Sequence, residues 1–291
     1  FDLPALLDGW VIAPKMVADG GIVADDYTIP DYHVFDIRSE ADFKAGHIKG
    51  SMNVALGNVV AEAANYSDKP ILVVCYSGQT AGRAVMALRL SGYDAAVMKF
   101  GFSYWTSDEY VVDGETRSFD KWSPKVGDIA DGHANWNTDP AAALPVYDYP
   151  TWESDNTAGA DILAERVDAM LAMGWTTSSA DVLAAPTDYN IYNFCSEADY
   201  LAFGHYEAAY QIQPISIADD IIKSFPNNDE FQVYCYTGQT SSYTTAWLQV
   251  LGYQAKSITY GVNSLKHAAL DEAGKPAWHH SFEYDYEVTA K

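Results

Sequence analysis

Short apolar runs and one amphipathic stretch alternate in the first third of the chain. Three runs rich in β-branched residues have the length and composition of buried parallel strands, at 34–37, 71–74 and 95–98. Between the last two, apolar residues recur at near-helical spacing up to Gly92, at Ala81, Ala84, Val85, Leu88 and Leu90. Strands alternating with helices predict an α/β fold in which helices cover a parallel sheet.

The same pattern returns about 160 residues later in the chain. The segment at 39–43 recurs at 196–200 and the segment at 73–80 recurs at 233–240, while a second amphipathic stretch ends at Gly252. Recurrence over this length indicates two copies of one structural unit. We therefore predict one domain at residues 1–125, a second at 158–291, and a connection at 126–157, whose tryptophans indicate that it packs against the domains.

Composition narrows the choice of partners. The 291 residues include 40 acidic and 17 basic side chains, which gives a formal net charge of -23. This charge argues against nucleic acid or an anionic membrane as partner, because both are bound by clustered Lys and Arg.

No stretch approaches the roughly 20 apolar residues that span a bilayer. Because the chain starts at Phe1 without a methionine, we expect a leading segment to have been removed. The acidic and aromatic composition favours an exported protein, so we expect it in the periplasm or cell envelope. The alternative location is the cytoplasm.

Two of the three cysteines occupy equivalent places in the repeat. Cys75 and Cys235 each end an apolar run and are followed by a glycine, Gly78 or Gly238, and then by a predicted helix. Backbone N–H groups and the helix N-terminus are expected to surround such a thiol, to favour the thiolate and to lower its pKa from about 8.5 toward neutrality. The alternative is a buried structural cysteine at the end of a core strand.

The segment at 36–53, the Cys75 loop and the segment at 101–105 together resemble the rhodanese (sulfurtransferase) family, which includes thiosulfate and 3-mercaptopyruvate sulfurtransferases. The resemblance covers about 28–105 and, more loosely, 187–270. It implies a tandem of two α/β domains, each a parallel sheet flanked by helices, with no cofactor and no metal. It also implies that the loop cysteine takes a sulfane sulfur from a small donor as a persulfide and passes it to cyanide, a thiol or a protein acceptor. The alternative is a non-catalytic sulfur or chalcogen carrier, or a protein-docking module, with the same loops.

Cys75 and Cys235 are therefore the predicted catalytic residues. The predicted substrate-binding residues are Arg38 and the loop residues Tyr76, Ser77, Gly78, Gln79, Thr80, Tyr236, Thr237, Gly238, Gln239 and Thr240. Arg38 either orients the loop or supplies a fixed positive charge, or it pairs with Glu40 or Asp42.

Related phosphatases carry an arginine six residues after the cysteine, where this chain has Ala81 and Ser241, so phosphoryl chemistry is disfavoured. The loop side chains are neutral, so we expect weak activity with the thiosulfate dianion. A polysulfide, a small persulfide or a partner protein is the expected donor.

The second copy differs from the first near its cysteine. Asn193 stands where the first copy has Asp36, and Cys195 stands where it has Arg38. If Cys195 faces the same pocket as Cys235, it is a candidate resolving thiol for a persulfide on Cys235. The alternative is that Cys195 packs as a small apolar residue.

Overall fold

The computed structural model of the chain describes residues 2–217, 220–279 and 284–290. They form two compact units. The Cys75 unit comprises Leu7–Pro124 and His279–Lys291, and the Cys235 unit comprises Phe1–Leu6 and Lys125–Trp278. The short helix α1 (Leu3–Leu6) thus belongs to the Cys235 unit.

The Cys75 unit is built on a five-stranded parallel sheet with the order β1-β5-β4-β2-β3. Its strands are β1 (Val11–Ile12), β2 (His33–Asp36), β3 (Met52–Asn53), β4 (Ile71–Val74) and β5 (Ala95–Met98). Its helices are α2 (Glu40–Ala45), α3 (Val59–Ala63) and α4 (Gln79–Leu90). An antiparallel hairpin follows, made of β6 (Glu109–Val112) and β7 (Glu115–Ser118).

The Cys235 unit repeats this topology, with strand order β12-β10-β13-β14-β9 and all pairs parallel. Its strands are β8 (Trp136–Asn137), β9 (Thr176–Thr177), β10 (Ile191–Asn193), β11 (His205–Tyr206), β12 (Tyr210–Gln211), β13 (Phe231–Tyr234) and β14 (Ala255–Ile258). Its longer helices are α5 (Gly159–Ala172), α6 (Ser179–Ala184), α7 (Glu197–Phe203), α8 (Gln239–Val250) and α9 (His267–Glu272). Read from the opposite edge, β9, β14, β13, β10 and β12 correspond to β1, β5, β4, β2 and β3.

The α/β fold with two parallel sheets is confirmed. The run predicted at 71–74 is β4, the run at 95–98 is β5, and the run at 34–37 is β2 shifted by one residue. The β4 strand is central and buried along its whole length, as its continuous apolar composition requires.

The predicted domain bounds differ from the observed units at the start of the first domain, where α1 belongs to the Cys235 unit, and at both ends of the second domain. Residues 126–157 lie within the Cys235 unit, where β8 pairs antiparallel with β11. The described residues after 278 lie within the Cys75 unit, because the Trp105 indole donates to the Glu287 carbonyl at 3.0 Å and Tyr286 packs against the Trp105 ring.

No helix within residues 2–217, 220–279 and 284–290 is both long enough and apolar enough to cross a membrane.

Candidate active site

The Cys75 thiol lies where β4 ends and the chain curls into α4. Gly78 has a φ of 80°, a conformation that costs glycine little and strains other residues, and it closes the turn between the two elements. The curl directs backbone N–H groups at the sulfur: Gly78 N lies 3.1 Å and Ala81 N lies 3.3 Å from Cys75 Sγ. The thiol is 2% exposed. Its nearest polar neighbours are therefore main-chain donors at a helix N-terminus.

The carbonyl groups of the loop are held by the chain that follows β5. Phe102 N donates to the Cys75 carbonyl at 2.7 Å, and the Ser103 hydroxyl donates to the Tyr76 carbonyl at 2.8 Å. The Trp122 indole donates to the Ser77 carbonyl at 3.1 Å. These bonds fix the orientation of the loop peptides, since each carbonyl has a partner away from the thiol.

Gly101 makes this close approach of two backbones feasible. Its φ is +64°, and a Cβ at this position would lie 2.5 Å from the Cys75 carbonyl oxygen and 2.5 Å from Gly78 N. Gly261 has the same role beside Cys235, where a Cβ would lie 2.0 Å from the Cys235 carbonyl oxygen. A side chain at either position would displace the loop.

The expected lowering of the Cys75 pKa is wrong in direction. Burial raises the pKa of the Cys75 thiol above its ordinary value, and hydrogen bonds from backbone N–H groups, Ala81 first among them, offset only part of that rise. The sequence reveals the N–H groups through the loop pattern, but it does not reveal how completely the sulfur is buried. The site is therefore a neutral thiol at rest, surrounded by donors that stabilise negative charge when it forms.

The side chains of the first loop bond mainly to neighbouring protein groups. The Tyr76 hydroxyl donates to the Asp42 carboxylate, and the Gln79 amide donates to the Ser77 hydroxyl at 3.1 Å. Ser77 and Gln79 are buried, and Thr80 is half-buried. The structure thus places all of these residues around Cys75, while a role for their side chains in substrate binding stays a prediction.

Arg38 is buried, and its ion-pair partner is a residue that neither predicted alternative named. Its guanidinium pairs with Asp36 at 2.6 Å, donates to the Gly46 carbonyl at 2.7 Å and lies 3.6 Å from the Phe102 ring centroid. Of the two alternatives, the pairing of Arg38 with Glu40 or Asp42 is wrong, because the turn after β2 folds Arg38 back over Asp36. The Asp36 carboxylate neutralises the positive charge of Arg38. Because the guanidinium packs on the Phe102 ring, it also supports the segment whose backbone binds the Cys75 loop.

Asp42 lies near the Cys75 loop. From the sequence it was considered only as an alternative ion-pair partner of Arg38. It accepts hydrogen bonds from Tyr76 and Tyr110 and pairs with Arg117 at 3.3 Å. Burial raises its pKa, but the hydrogen bond from Tyr76 and those from Ser39 and Tyr110 outweigh it and leave the pKa lowered. The repeat indicates the importance of this aspartate, because the Ser-Glu-Ala-Asp segment recurs in the second copy with Asp199 at the same place.

The Cys235 loop has nearly the same backbone. Gly238 has a φ of 76°, and Ser241 N lies 3.3 Å from Cys235 Sγ. Val262 N donates to the Cys235 carbonyl at 3.0 Å, and the Asn263 amide donates to the Tyr236 carbonyl at 2.6 Å.

The loop side chains of the Cys235 unit are placed like those of the first. The Tyr236 hydroxyl donates to Asp199, and Gln239 N donates to the Thr237 hydroxyl at 3.3 Å. Thr240 is half-buried. The second loop thus also directs a main-chain donor, Ser241 N, at its cysteine.

Comparison with known proteins finds relatives of the segment that holds the Cys75 loop. The rhodanese-like domain model matches residues 22–108. A thiosulfate sulfurtransferase of Pseudoalteromonas translucida is 34% identical over 77 residues, which cover 26% of this chain and 73% of that protein. The chain belongs to the rhodanese family. The match to this family includes β2 to β5 and the Cys75 loop.

Two further comparisons differ in coverage. The uncharacterized protein YibN of Escherichia coli is 35% identical over 83 residues, so the match covers 27% of this chain and 58% of YibN. A crystal structure of a thiosulfate sulfurtransferase from Pseudomonas aeruginosa aligns with 86% of this chain and 42% of its own, at 16% identity and a TM-score of 0.29.

Proposed function

We propose that the protein is a sulfurtransferase in which Cys75 carries a sulfane sulfur as a persulfide. The observation that supports this most directly is the arrangement of Gly78 N and Ala81 N at 3.1 and 3.3 Å from the buried Cys75 sulfur. Preorganised N–H donors in a water-poor site stabilise negative charge strongly. A loop of this kind suits a reaction in which negative charge forms first on the Cys75 sulfur and then on the outer sulfur of its persulfide.

The reaction has two sulfur transfers. The Cys75 thiol gives up its proton and its sulfur attacks the terminal sulfur of a donor. The donor's S–S bond breaks, and its remaining thiolate leaves with the bonding electron pair and takes up that proton. An acceptor such as cyanide then attacks the outer sulfur of the Cys75 persulfide, which forms thiocyanate and regenerates the Cys75 thiolate. No general base is required at the second step, since the leaving group is itself a thiolate.

The donor we propose is a low-molecular-weight persulfide or polysulfide rather than thiosulfate. The side chains of Tyr76, Ser77, Gln79 and Thr80 are neutral, and the nearby Arg38 guanidinium is paired with Asp36. Among these residues, only backbone N–H donors would be available to bind a dianion, because none of their side chains supplies an unneutralised positive charge. The net charge of -23 on the protein would also repel the dianion.

The experiment is a cyanide assay on four proteins: the unaltered chain, Cys75→Ser, Cys235→Ser and the double variant. Thiocyanate release from glutathione persulfide should fall to background in Cys75→Ser and persist in Cys235→Ser. Full activity of Cys75→Ser would overturn the assignment. Thiosulfate turnover as efficient as that of glutathione persulfide would overturn the choice of donor.

A sulfur carrier is the second candidate, and the burial of Cys75 favours it. A thiol that is 2% exposed gives a free acceptor little access to the outer sulfur of a persulfide. A carrier would hold the persulfide through gel filtration and yield no thiocyanate with cyanide. An enzyme would lose the persulfide to cyanide with multiple turnovers.

A further inference from the structure

Lys99 lies beside the Cys75 loop, directly after the carboxyl end of β5. The register of β4 and β5 sets Val97 opposite Val73. Two residues further along both strands, the same register sets Lys99 opposite Cys75. The chain then turns at Gly101, where a Cβ would lie 2.5 Å from the Cys75 carbonyl oxygen. Because side chains alternate between the two faces of a strand, Lys99 and Cys75 lie on the same face of the sheet.

Lys15 is a second cation at this edge of the sheet. Lys99 N donates to the Ile12 carbonyl at 2.8 Å, and Lys15 follows Ile12 by three residues. Lys15 is exposed, and Lys99 is half-buried. Burial first, and then the charge of Lys15, lower the pKa of Lys99. The two ammonium groups therefore act on each other at the carboxyl edge of a parallel sheet, which is the edge where α/β proteins bind ligands.

The two lysines differ from others of the chain in their charged neighbours. Lys15 has no carboxylate partner among the residues that the structure describes. Ion pairs with carboxylates are formed by Lys44, Lys49, Lys223, Lys256, Lys266 and Lys275. On a protein of net charge -23, two adjacent ammonium groups create a local site for an anion.

The position of the lysines indicates which part of a donor they can bind. The described donors to Cys75 Sγ are the main-chain groups Gly78 N and Ala81 N, so neither lysine holds the sulfur itself. A lysine ammonium stands at the end of a flexible four-carbon side chain. It therefore suits a negative group several bonds away from the transferred sulfur. Cysteine and glutathione persulfides carry a carboxylate at such a distance, whereas the charge of thiosulfate lies on the atoms next to the transferred sulfur.

We propose that Lys15 and Lys99 form a cationic subsite that binds the carboxylate of a small persulfide donor while its terminal sulfur lies against Cys75. This inference rests on the proposed function and names the class of donor, which is the persulfide of an amino acid or a small peptide. The lysines form no bond and take up no proton during the transfer. They increase the affinity for the donor through charge-assisted hydrogen bonds.

In the Cys235 unit the place of Lys99 is taken by a neutral residue. Thr259 N donates to the Thr177 carbonyl at 3.1 Å, as Lys99 N donates to the Ile12 carbonyl. The register of β13 and β14 likewise sets Thr259 opposite Cys235. The two loops thus share a backbone but differ in the charge beside them, and Lys99→Thr copies the arrangement of the second unit.

The structure places Cys195, the candidate resolving thiol, away from the Cys235 thiol. Asn193 lies opposite Tyr234 in the pairing of β10 with β13, so Cys195 and Cys235 point to opposite faces of the sheet. Cys195 packs in the apolar core of its unit with Tyr200, as the alternative of a small apolar residue describes.

The test compares two donors on the unaltered chain and on a subsite variant carrying Lys15→Gln and Lys99→Thr. Glutathione persulfide has carboxylates, whereas 2-mercaptoethanol persulfide has no charged group apart from its sulfur. The rate of persulfide formation on Cys75 is measured by peptide mass spectrometry over a range of donor concentrations. Lys99→Gln replaces Lys99→Thr if the latter fails to fold by circular dichroism.

The matched control carries Lys49→Gln and Lys69→Gln. It removes the same two positive charges from the same unit. Lys49 and Lys69 precede β3 and β4, so they lie toward the amino ends of the strands, at the edge opposite Cys75. A general effect of net charge on an anionic donor would appear equally in this control.

The subsite variant should require about a tenfold higher concentration of glutathione persulfide for half-maximal loading, the effect of losing a charge-assisted hydrogen bond. Its maximal rate should be retained, and its loading by 2-mercaptoethanol persulfide should be unchanged. The control should load like the unaltered chain with both donors. The proposal is overturned if the subsite variant loads normally with glutathione persulfide or loses the same affinity for both donors.

A binding measurement separates this inference from the proposed function. S-methylglutathione has the carboxylates of the donor but no sulfur to transfer, and its binding to Cys75→Ser is followed by nuclear magnetic resonance. Adding Lys15→Gln and Lys99→Thr should weaken this binding about tenfold. If this loss appears while Cys75 of the unaltered chain takes up no sulfur, the subsite stands and the proposed function fails. Unchanged binding overturns the subsite.

Discussion

At the residue scale, two influences act on the Cys75 thiol in opposite directions. Burial at 2% exposure disfavours the thiolate, whereas the N–H groups of Gly78 and Ala81 favour it. Burial prevails, so the pKa is raised. The same N–H groups remain available to a negative charge on sulfur once it forms, which is what the proposed sulfur transfer requires.

The raised pKa predicts how the reactivity of Cys75 depends on pH. The alkylation rate follows the thiolate fraction, and a raised pKa keeps the thiol protonated to higher pH. The rate of Cys75 alkylation by iodoacetamide should therefore keep rising above pH of about 8.5, the value at which an ordinary cysteine is half ionised. Peptide-resolved mass spectrometry measures this rate, with free glutathione as the reference. A rate that levels off below the glutathione midpoint would contradict it.

The buried pair of Arg38 and Asp36 gives a second prediction at this scale. Arg38→Met leaves the Asp36 carboxylate buried without its cation, and loss of one partner of a buried pair costs about 3–5 kcal/mol. The matched control is Asp36→Asn combined with Arg38→Cys, which copies the Asn193 and Cys195 arrangement of the second unit. Urea unfolding should show a smaller loss of stability for this double variant than for Arg38→Met. Equal losses would mean that the unpaired carboxylate is not the cause.

At the element scale, each cysteine loop is held between the end of a central strand and the segment that follows the next strand. Phe102 N and Val262 N bind the carbonyls of Cys75 and Cys235 at 2.7 and 3.0 Å. The tyrosine after each cysteine is tied to an aspartate of the helix that follows the neighbouring strand. The loop is thus fixed from two sides, and its N–H groups stay directed at the sulfur.

Gly101 tests this arrangement. Gly101→Ala should abolish sulfur uptake at Cys75, because its Cβ would lie 2.5 Å from the Cys75 carbonyl oxygen. Gly114→Ala is the matched control, since Gly114 also has a positive φ, +80°, and nothing lies within 4 Å of its Cβ position. Both variants carry backbone strain of about 1–2 kcal/mol, and the overlap is specific to Gly101. Persulfide loading measured by intact mass should persist in Gly114→Ala, and equal loss in both would contradict the role of close approach.

At the scale of the whole molecule, the last described segment of the chain completes the core of the Cys75 unit. Tyr286 is 7% exposed, and its ring packs against Trp105 and Tyr27 at centroid distances of 4.9 and 5.7 Å. The Trp105 indole also donates to the Glu287 carbonyl. The tail therefore contributes to the stability of a unit whose other residues lie far away in sequence.

Tyr286→Ala should destabilise the Cys75 unit by about 3 kcal/mol, the cost of removing a buried aromatic side chain. Amide hydrogen exchange should quicken in β2 and β4 and stay unchanged in β10 and β13. Val111→Ala serves as the control, because Val111 is 66% exposed in the same unit. Equal acceleration in β10 and β13 would show that the tail does not belong to the Cys75 unit.

Much of this architecture could be predicted from the sequence, because the apolar runs at 71–74 and 95–98 are uninterrupted and flanked by turn residues. The cysteine loops were also predictable, since the pattern of cysteine, glycine and helix recurs. The placement of the tail could not be predicted, because its contact with Trp105 spans most of the chain. Nor could the partner of Arg38 or the burial of Cys75, since both depend on how a turn packs in three dimensions.

The central claim is that Cys75 carries the sulfur, and peptide mass spectrometry after single-turnover loading tests it most directly. The chain carrying Cys195→Ser and Cys235→Ser is treated with glutathione persulfide, desalted and divided, and one half receives cyanide. We expect the Cys75 peptide to carry one additional sulfur atom in the untreated half and to lose it, with an equal amount of thiocyanate, in the treated half. A Cys75 peptide that never gains sulfur while the protein is folded would contradict the account.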